Sequence, residues 1–302
     1  MLQGKHVTKL YKTGNIIIHI LINANFVVKE GDFIFLAGFS GAGKTTFIKL
    51  LSAEETPNHG DILFQNKNIN LLPEPLKLKY RQNIGVIYQD YHLISHKTVE
   101  ENIIFVLEAL NKTKAEIKEI TENVLNIVGL YDKRNVYPEQ LSGGEKRRLT
   151  IARSLAIEPI IILADEPTGD LDPYNANIIM KLLAEIAKQG TTIIMATHNI
   201  EIIKSYPNSD VWFLHNAQLH TNLKTKEIED IYTTLAKGKD KYTKSRHSIN
   251  IKTEAIPQKL RNKILHIHPE MLNNIQFLTP KIFAEYYNLS YNEIKTLIKA
   301  LK

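Results

Sequence analysis

Gly38-Phe39-Ser40-Gly41-Ala42-Gly43-Lys44-Thr45-Thr46 is the stretch on which the reading of this chain turns. Before it runs Phe33–Ala37, apolar throughout, which reads as a buried strand. After it come Phe47, Ile48, Leu50 and Leu51, spaced to face one side of a helix. Strand, glycine-rich turn and helix is the setting in which G-x-x-x-x-G-K-[ST] binds phosphate. Gly38, Gly41 and Gly43 permit backbone turns that a side chain would forbid. The freed N–H groups then converge, with the helix N-terminus, on an anion. Lys44 adds a point charge for β- and γ-phosphates, and Thr45 a hydroxyl for Mg²⁺.

Outward from the loop, apolar runs end in polar residues. Ile160–Glu166 reads as a buried strand ending in the carboxylates Asp165 and Glu166; Ile84–Tyr88 is followed by Gln89 and Asp90, and Thr191–Thr197 by His198. Helical patterns separate them. Apolar residues from Thr98 to Gly129 recur at helical spacing and predict two helices joined near Asn111-Lys112-Thr113, with Gly129 as the stop. Leu141-Ser142-Gly143-Gly144-Glu145 opens a helix over Lys146–Ile157, and Pro173 starts another reaching about Gln189. On the N-terminal side, Val7–Val28 is rich in β-branched residues around a Gly14-Asn15 hairpin turn. Asp61–Gln65 reads as an edge strand, Asn66–Arg81 as a polar, Pro-broken stretch, and Val211–Leu214 with Gln218–His220 as a final hairpin. The alternation predicts an α/β fold with a mainly parallel sheet covered on both faces. Functional residues of such sheets stand at the carboxyl ends of the strands. Gly38, Gln89, Asp165, Glu166 and His198 all occupy such ends, which predicts one composite site.

Asp-Glu at the end of an apolar strand is the companion that a phosphate loop needs: Asp165 can hold a magnesium shell, and Glu166 can orient or deprotonate an attacking water. Ser142 with Glu145 three residues on is also a capping box. Two consecutive glycines go beyond capping, because they leave a bare helix N-terminus open to an anion; both readings stand. Tyr11, just before the first turn, is equally a strand aromatic.

Composition bounds the class. The chain has 302 residues, 43% hydrophobic and 23% charged, and no cysteine, which excludes disulfides and thiolate metal sites. No signal peptide is expected at Met1–His6, and no apolar run approaches the roughly 20 residues that span a bilayer. The net charge of +6 is uneven. Thr221–Lys302 carries 15 Lys and Arg against 8 Asp and Glu, while the rest carries 23 against 24. A neutral body and a basic tail predict two units, 1–220 and 221–302, the second suited to an anionic surface.

Taken in order, GFSGAGKTT, Gln89, LSGGE, IIILADEP, Gly169-Asp170-Leu171-Asp172 and His198 resemble the nucleotide-binding domain of an ABC ATPase, over roughly Met1–Leu219. The resemblance implies a P-loop NTPase fold with a parallel-sheet core, an N-terminal antiparallel β subdomain and a helical subdomain. It implies ATP hydrolysis with Mg²⁺. Tyr11 would stack on adenine. Gly38 and the run Ser40, Gly41, Ala42, Gly43, Lys44, Thr45 and Thr46 would wrap the phosphates. Thr45, Gln89 and Asp165 would serve Mg²⁺, and Gln89 would also touch the water and transmit to a partner. Glu166 would serve the water and His198 the γ-phosphate. Ser142, Gly143 and Gly144 would address the γ-phosphate of an opposite protomer, with Asp172 at the homodimer contact.

GxSGAGKT, Tyr88-Gln89-Asp90-Tyr91-His92-Leu93-Ile94, LADEPTGDLD and Met195-Ala196-Thr197-His198-Asn199 resemble, more narrowly, the cell-division (FtsE-type) branch of that family. That branch works at the cytoplasmic face of the membrane with an FtsX-like permease. The ATPases of lipoprotein release and macrolide-type export share much of the pattern and stand as the alternative. Asp170 occupies a place where Asn is common. A soluble nucleic-acid-acting relative and a non-hydrolysing scaffold are further alternatives; a single cassette argues against the first, and Glu166 with His198 against the second.

The tail departs from the branch, whose members stop near the position of Leu219. Lys237–Lys252 reads as a linker or anionic-lipid-contacting segment. Thr279-Pro280 opens a helical pattern through Tyr286, Asn288-Leu289-Ser290 is a turn, and Ile294, Leu297, Ile298 and Leu301 form an apolar stripe. The outline is that of a helix pair, either of the helix-turn-helix kind or packed on the body or a partner.

Overall fold

The computed structural model describes residues 1–13, 16–236, 257, 260 and 289–301. The Gly14-Asn15 turn, the Lys237–Lys252 segment and the helical pattern beginning at Thr279 lie outside the described residues.

Two sheets share the body. The larger has the order β10-β9-β3-β8-β7-β6. Its strands are β3 (Phe33–Ala37), β6 (Ile84–Ile87), β7 (Ile161–Asp165), β8 (Thr192–Thr197), β9 (Asp210–His215) and β10 (Gln218–Leu223). All pairings are parallel except that of β10 with β9. Alternate residues enter opposite cores. Phe35, Ile162, Ala164, Ile193 and Met195 join one, and Ile34, Leu36, Ile161, Leu163 and Ile194 the other. Burial on both faces is why these strands read as unbroken apolar runs. Parallel pairing also lines up the carboxyl ends of β3, β6, β7 and β8 on one edge, as expected from their closing residues.

The smaller sheet is antiparallel, in the order β2-β1-β4-β5, built on the long hairpin of β1 (Leu2–Thr13) and β2 (Ile16–Val28). The expected edge strand at Asp61–Gln65 is β4 (His59–Phe64), and it is internal: β1 flanks it on one side and β5 (Lys67–Asn68) on the other. Two polar residues leave no periodic signal, so β5 was invisible to pattern. The stretch expected to be broken contains α2 (Glu74–Arg81), with Pro75 in its first turn, where a missing N–H costs nothing. The two sheets are joined by a hydrogen bond from the Ile22 N–H to the Ala217 carbonyl, 2.8 Å. Phe26 and Phe47 also pack on Trp212 of β9, at centroid distances of 5.5 and 6.2 Å.

The predicted helix pair is α3 (Val99–Ala109) and α4 (Lys114–Ile127), each opened by a Thr–Glu capping box. Gly129 follows α4 at φ +64°. Two further long helices are α5 (Gly143–Leu155) and α6 (Pro173–Lys188); short α7 (Ile200–Lys204) follows β8.

The expected division after residue 220 falls inside β10. Helix α8 (Thr225–Ala236) follows, and its Ile228 and Ile231, both fully buried, join the core that holds Phe35 and Phe213. Charge counting placed this helix with the tail, whereas its apolar face belongs to the body. Helix α9 (Tyr291–Leu301) carries part of the predicted stripe, with Ile294 and Leu297 buried, and Ser290 and Glu293 hydrogen-bond reciprocally at its start. Among the described residues no helix is long and apolar enough to cross a membrane.

Candidate active site

The chain leaves β3, turns through the glycine loop and enters α1 (Lys44–Leu51). Gly43 caps that helix in a left-handed conformation, φ +101°, which glycine adopts without strain. No side chain caps the helix, so its first N–H groups stay available to an anion. Lys44 is buried and donates to the carbonyls of Gly38 (2.9 Å) and Phe39 (3.1 Å). Its ammonium also lies 3.1 Å from Glu166 Oε1.

Glu166 begins the turn after β7 and is itself left-handed, φ +48°, an uncommon state for a residue with a side chain. His198 Nδ1 lies 2.9 Å from its Oε1 and 3.0 Å from its Oε2. One nearly buried carboxylate thus stands between a buried ammonium and an exposed imidazole. Asp165, one residue earlier, is 2% exposed. Burial pushes its carboxyl above the usual range; a hydrogen bond from Thr45 opposes this, and neighbouring Glu166 adds to the rise. Asp165 Oδ1 has no hydrogen-bond partner. A buried carboxylate oxygen without a donor, beside a threonine hydroxyl, suits a hard oxygen-seeking cation.

In front of these groups opens a cleft of about 340 Å³, lined among others by Ser40, Gln89, Glu166, Thr168 and His198. Four residues expected at one site, from four separate strand ends, therefore share one cavity, with Lys44 and Asp165 directly behind it.

The remaining expected residues stand elsewhere in the protomer. Ser142 caps α5: its hydroxyl accepts from the Glu145 N–H at 3.3 Å, and Glu145 accepts from the Ser142 N–H at 3.0 Å. Lys133 hydrogen-bonds Glu145 and, with this cap, holds its carboxyl below the usual range. Gly144 is also closely packed: a Cβ there would stand 2.3 Å from Asn175 Oδ1, so the Asn175 side chain would have to move. Ser142 and Gly143 are exposed and do not line the cleft. Asp172 caps α6, accepting from the Asn175 N–H at 3.0 Å. Tyr11 is outside the cleft lining too; its hydroxyl lies 3.2 Å from Glu55 Oε1, with the Lys9 ammonium 4.9 Å from its ring.

Arg147 belongs to none of the sequence motifs, yet it orders the site. It is 1% exposed on α5 and donates to the carbonyls of Tyr88 (2.5 Å) and Gln89 (2.8 Å), with its guanidinium 4.7 Å from the Tyr91 ring. It thus holds the turn that presents Gln89. Its signal was a cation sharing one helix face with Gly144, Ile151 and Ser154.

Fold and cleft together define a phosphate-loop α/β protein. A family model described as ABC transporter matches residues 21–169. The cell-division ATP-binding protein FtsE of Mycobacterium tuberculosis is 43% identical over 205 residues, covering 68% of this chain and 88% of that protein. The methionine import ATP-binding protein MetN of Helicobacter acinonychis is 36% identical over 260 residues, covering 85% of this chain and 76% of that protein. Among solved structures, a dimeric ATP-binding cassette in a post-hydrolysis state, bound to ADP and Pi, superposes with a TM-score of 0.68 at 32% identity. That alignment covers 74% of this chain and 99% of the neighbour. The chain belongs to the ABC ATPase family, whose members hydrolyse ATP.

Proposed function

We propose that this chain is the ATP-hydrolysing subunit of a cell-division complex, closing into a homodimer on ATP and driving an FtsX-like integral membrane partner that controls cell-wall hydrolysis. The observation that supports it is 43% identity to a cell-division ATP-binding protein over 88% of that protein's length. In this reading the protein is peripheral, on the cytoplasmic face of the membrane. The body runs to Ala236, and the basic extension beyond it contacts anionic lipid.

The residues act as follows. Tyr11 packs on adenine, and Gly38 with Ser40–Thr46 wraps the phosphates. An arriving γ-phosphate competes for Lys44 with Glu166 and the two loop carbonyls. As Lys44 turns to the phosphate, Glu166 is released to a water in the cleft. The water oxygen attacks the γ-phosphorus, its proton passes to Glu166, and the bond to the β-phosphate oxygen breaks, leaving ADP and phosphate. His198, hydrogen-bonded to Glu166, donates to the γ-phosphate. Thr45, Gln89 and Asp165 would hold Mg²⁺, which supplies charge neutralisation at the phosphates. Ser142, Gly143 and Gly144, which do not line the cleft of their own protomer, would address the γ-phosphate held by a second copy, with Asp172 at that contact.

The test is Glu166→Gln, which keeps the side chain's shape and removes the base. It should bind ATP, fail to cleave it and accumulate as a dimer by light scattering, and Ser142→Arg added to it should abolish the dimer. Glu166→Gln protein that stays monomeric with ATP, Mg²⁺ and the membrane partner present would sink the proposal.

A second reading is an importer subunit. The match to the methionine import protein spans 85% of this chain and so extends past Ala236 into the basic extension. The membrane protein that co-purifies separates the two readings, and also tests the lipoprotein or macrolide-type exporter.

A further inference from the structure

Helix α8 touches the phosphate loop directly. Ile228, Ile231 and Tyr232 lie on one face, at spacings of three and four. The two isoleucines enter the core, and Lys204 of α7 pairs with Glu229 at 2.9 Å. The Tyr232 ring rests on Phe39, the second residue of the loop, with centroids 4.9 Å apart. Phe213 of β9 meets the same ring edge-on at 5.7 Å. The Tyr232 hydroxyl is buried near the Gly38 backbone, and burial pushes its pKa up to about 12.

Gly38 and Phe39 are also the residues whose carbonyls hold the Lys44 ammonium. One aromatic ring from α8 therefore bears on the peptides that position the phosphate-binding lysine. Phe39 is 37% exposed, and its ring also meets those of Phe213 and His215.

We propose that Tyr232 is a positioning residue for the phosphate loop; this rests on the ATPase reading above.

The experiment is titration of the full-length chain with fluorescent ATP and ADP, with steady-state turnover alongside. Loss of an aromatic contact is worth about 0.5–1.5 kcal/mol, so Tyr232→Ala should raise Kd roughly two- to tenfold. The value of kcat at saturating ATP should stay within about twofold, because the cleft residues are untouched. Tyr232→Phe should restore wild-type Kd. Phe39→Ala should mimic Tyr232→Ala, and the double variant should be no weaker than either single one. Ile228→Ala should lower the melting temperature and leave Kd unchanged. Wild-type Kd in Tyr232→Ala, an equal loss in Ile228→Ala, or additive effects in the double variant would each overturn the proposal. Failure of the wild type itself to bind ATP, or normal binding by Lys44→Ala, would instead bring down the ATPase reading.

Discussion

Arg147→Met asks whether the Gln89 turn is held by one buried cation. The native guanidinium makes two hydrogen bonds, to Tyr88 and Gln89 carbonyls, and stacks near Tyr91. Hydrogen bonds to a charged group contribute about 1.5–3 kcal/mol each, and a partly desolvated cation–π contact about 1 kcal/mol more. Against this stands the cost of burying the charge, several kcal/mol, visible in the lowering of the Arg147 pKa by burial. Methionine fills much of the same volume, so no large cavity opens, and the freed carbonyls sit next to exposed Gln89, where water can reach them. The net loss should be about 1–3 kcal/mol, which lowers the melting temperature of a body this size by roughly 2–12 °C. Turnover should suffer more, because Gln89 loses its fixed place in the cleft. We expect kcat to fall at least about tenfold, with nucleotide Kd changed less than threefold, since the phosphate loop is untouched. Denaturant unfolding, ATP hydrolysis and nucleotide titration read the three quantities separately. Full kcat in a folded, destabilised Arg147→Met protein would refute the argument and leave Arg147 as packing alone.

Lys44→Ala should abolish measurable nucleotide binding by calorimetry, because it removes the buried ammonium that in the proposed reading turns to the phosphates; normal affinity would overturn the loop assignment. A chain ending at Ala236 should fold and bind ATP, whereas one ending at His220 should lose roughly 1.5–3 kcal/mol for each of Ile228 and Ile231 and melt far lower or aggregate. Equal melting temperatures for the two truncations would show that α8 adds nothing to the body. Asp165→Asn should raise the melting temperature of the nucleotide-free protein by about 2–4 °C, by removing a buried charge whose Oδ1 lacks a donor, while ATP turnover is lost. A lower melting temperature would mean that the carboxylate is satisfied in solution.

The cleft was legible because its parts are local. A glycine loop between strand and helix, and a strand ending in Asp165-Glu166, carry their chemistry within a few residues. Parallel pairing then brings Ser40, Gln89, Glu166 and His198 together without further information. What could not be read depends on contacts between distant segments. Arg147 reaches Tyr88 and Gln89 across more than fifty positions, and only their carbonyls, which every residue has, mark the target. Gly144 looked like an opening for an anion, and its quarrel with Asn175 appears only once α5 packs on α6. Helix α8 was assigned by its charge to the tail, although Ile228, Ile231 and Tyr232 at one spacing mark a face that packs. The two-residue β5 that makes β4 internal had no periodicity to find.

Glu166 sits in the left-handed region of backbone space. Asparagine or glycine at position 166 would relax that backbone by about 1–3 kcal/mol, but either would leave the buried Lys44 ammonium without its carboxylate, at a cost of about 3–5 kcal/mol. A library sorted on heat resistance alone should therefore keep glutamate here, strain included. The charge that steadies Lys44 is the one that the proposed reaction needs when nucleotide arrives, so endurance and hydrolysis select the same residue.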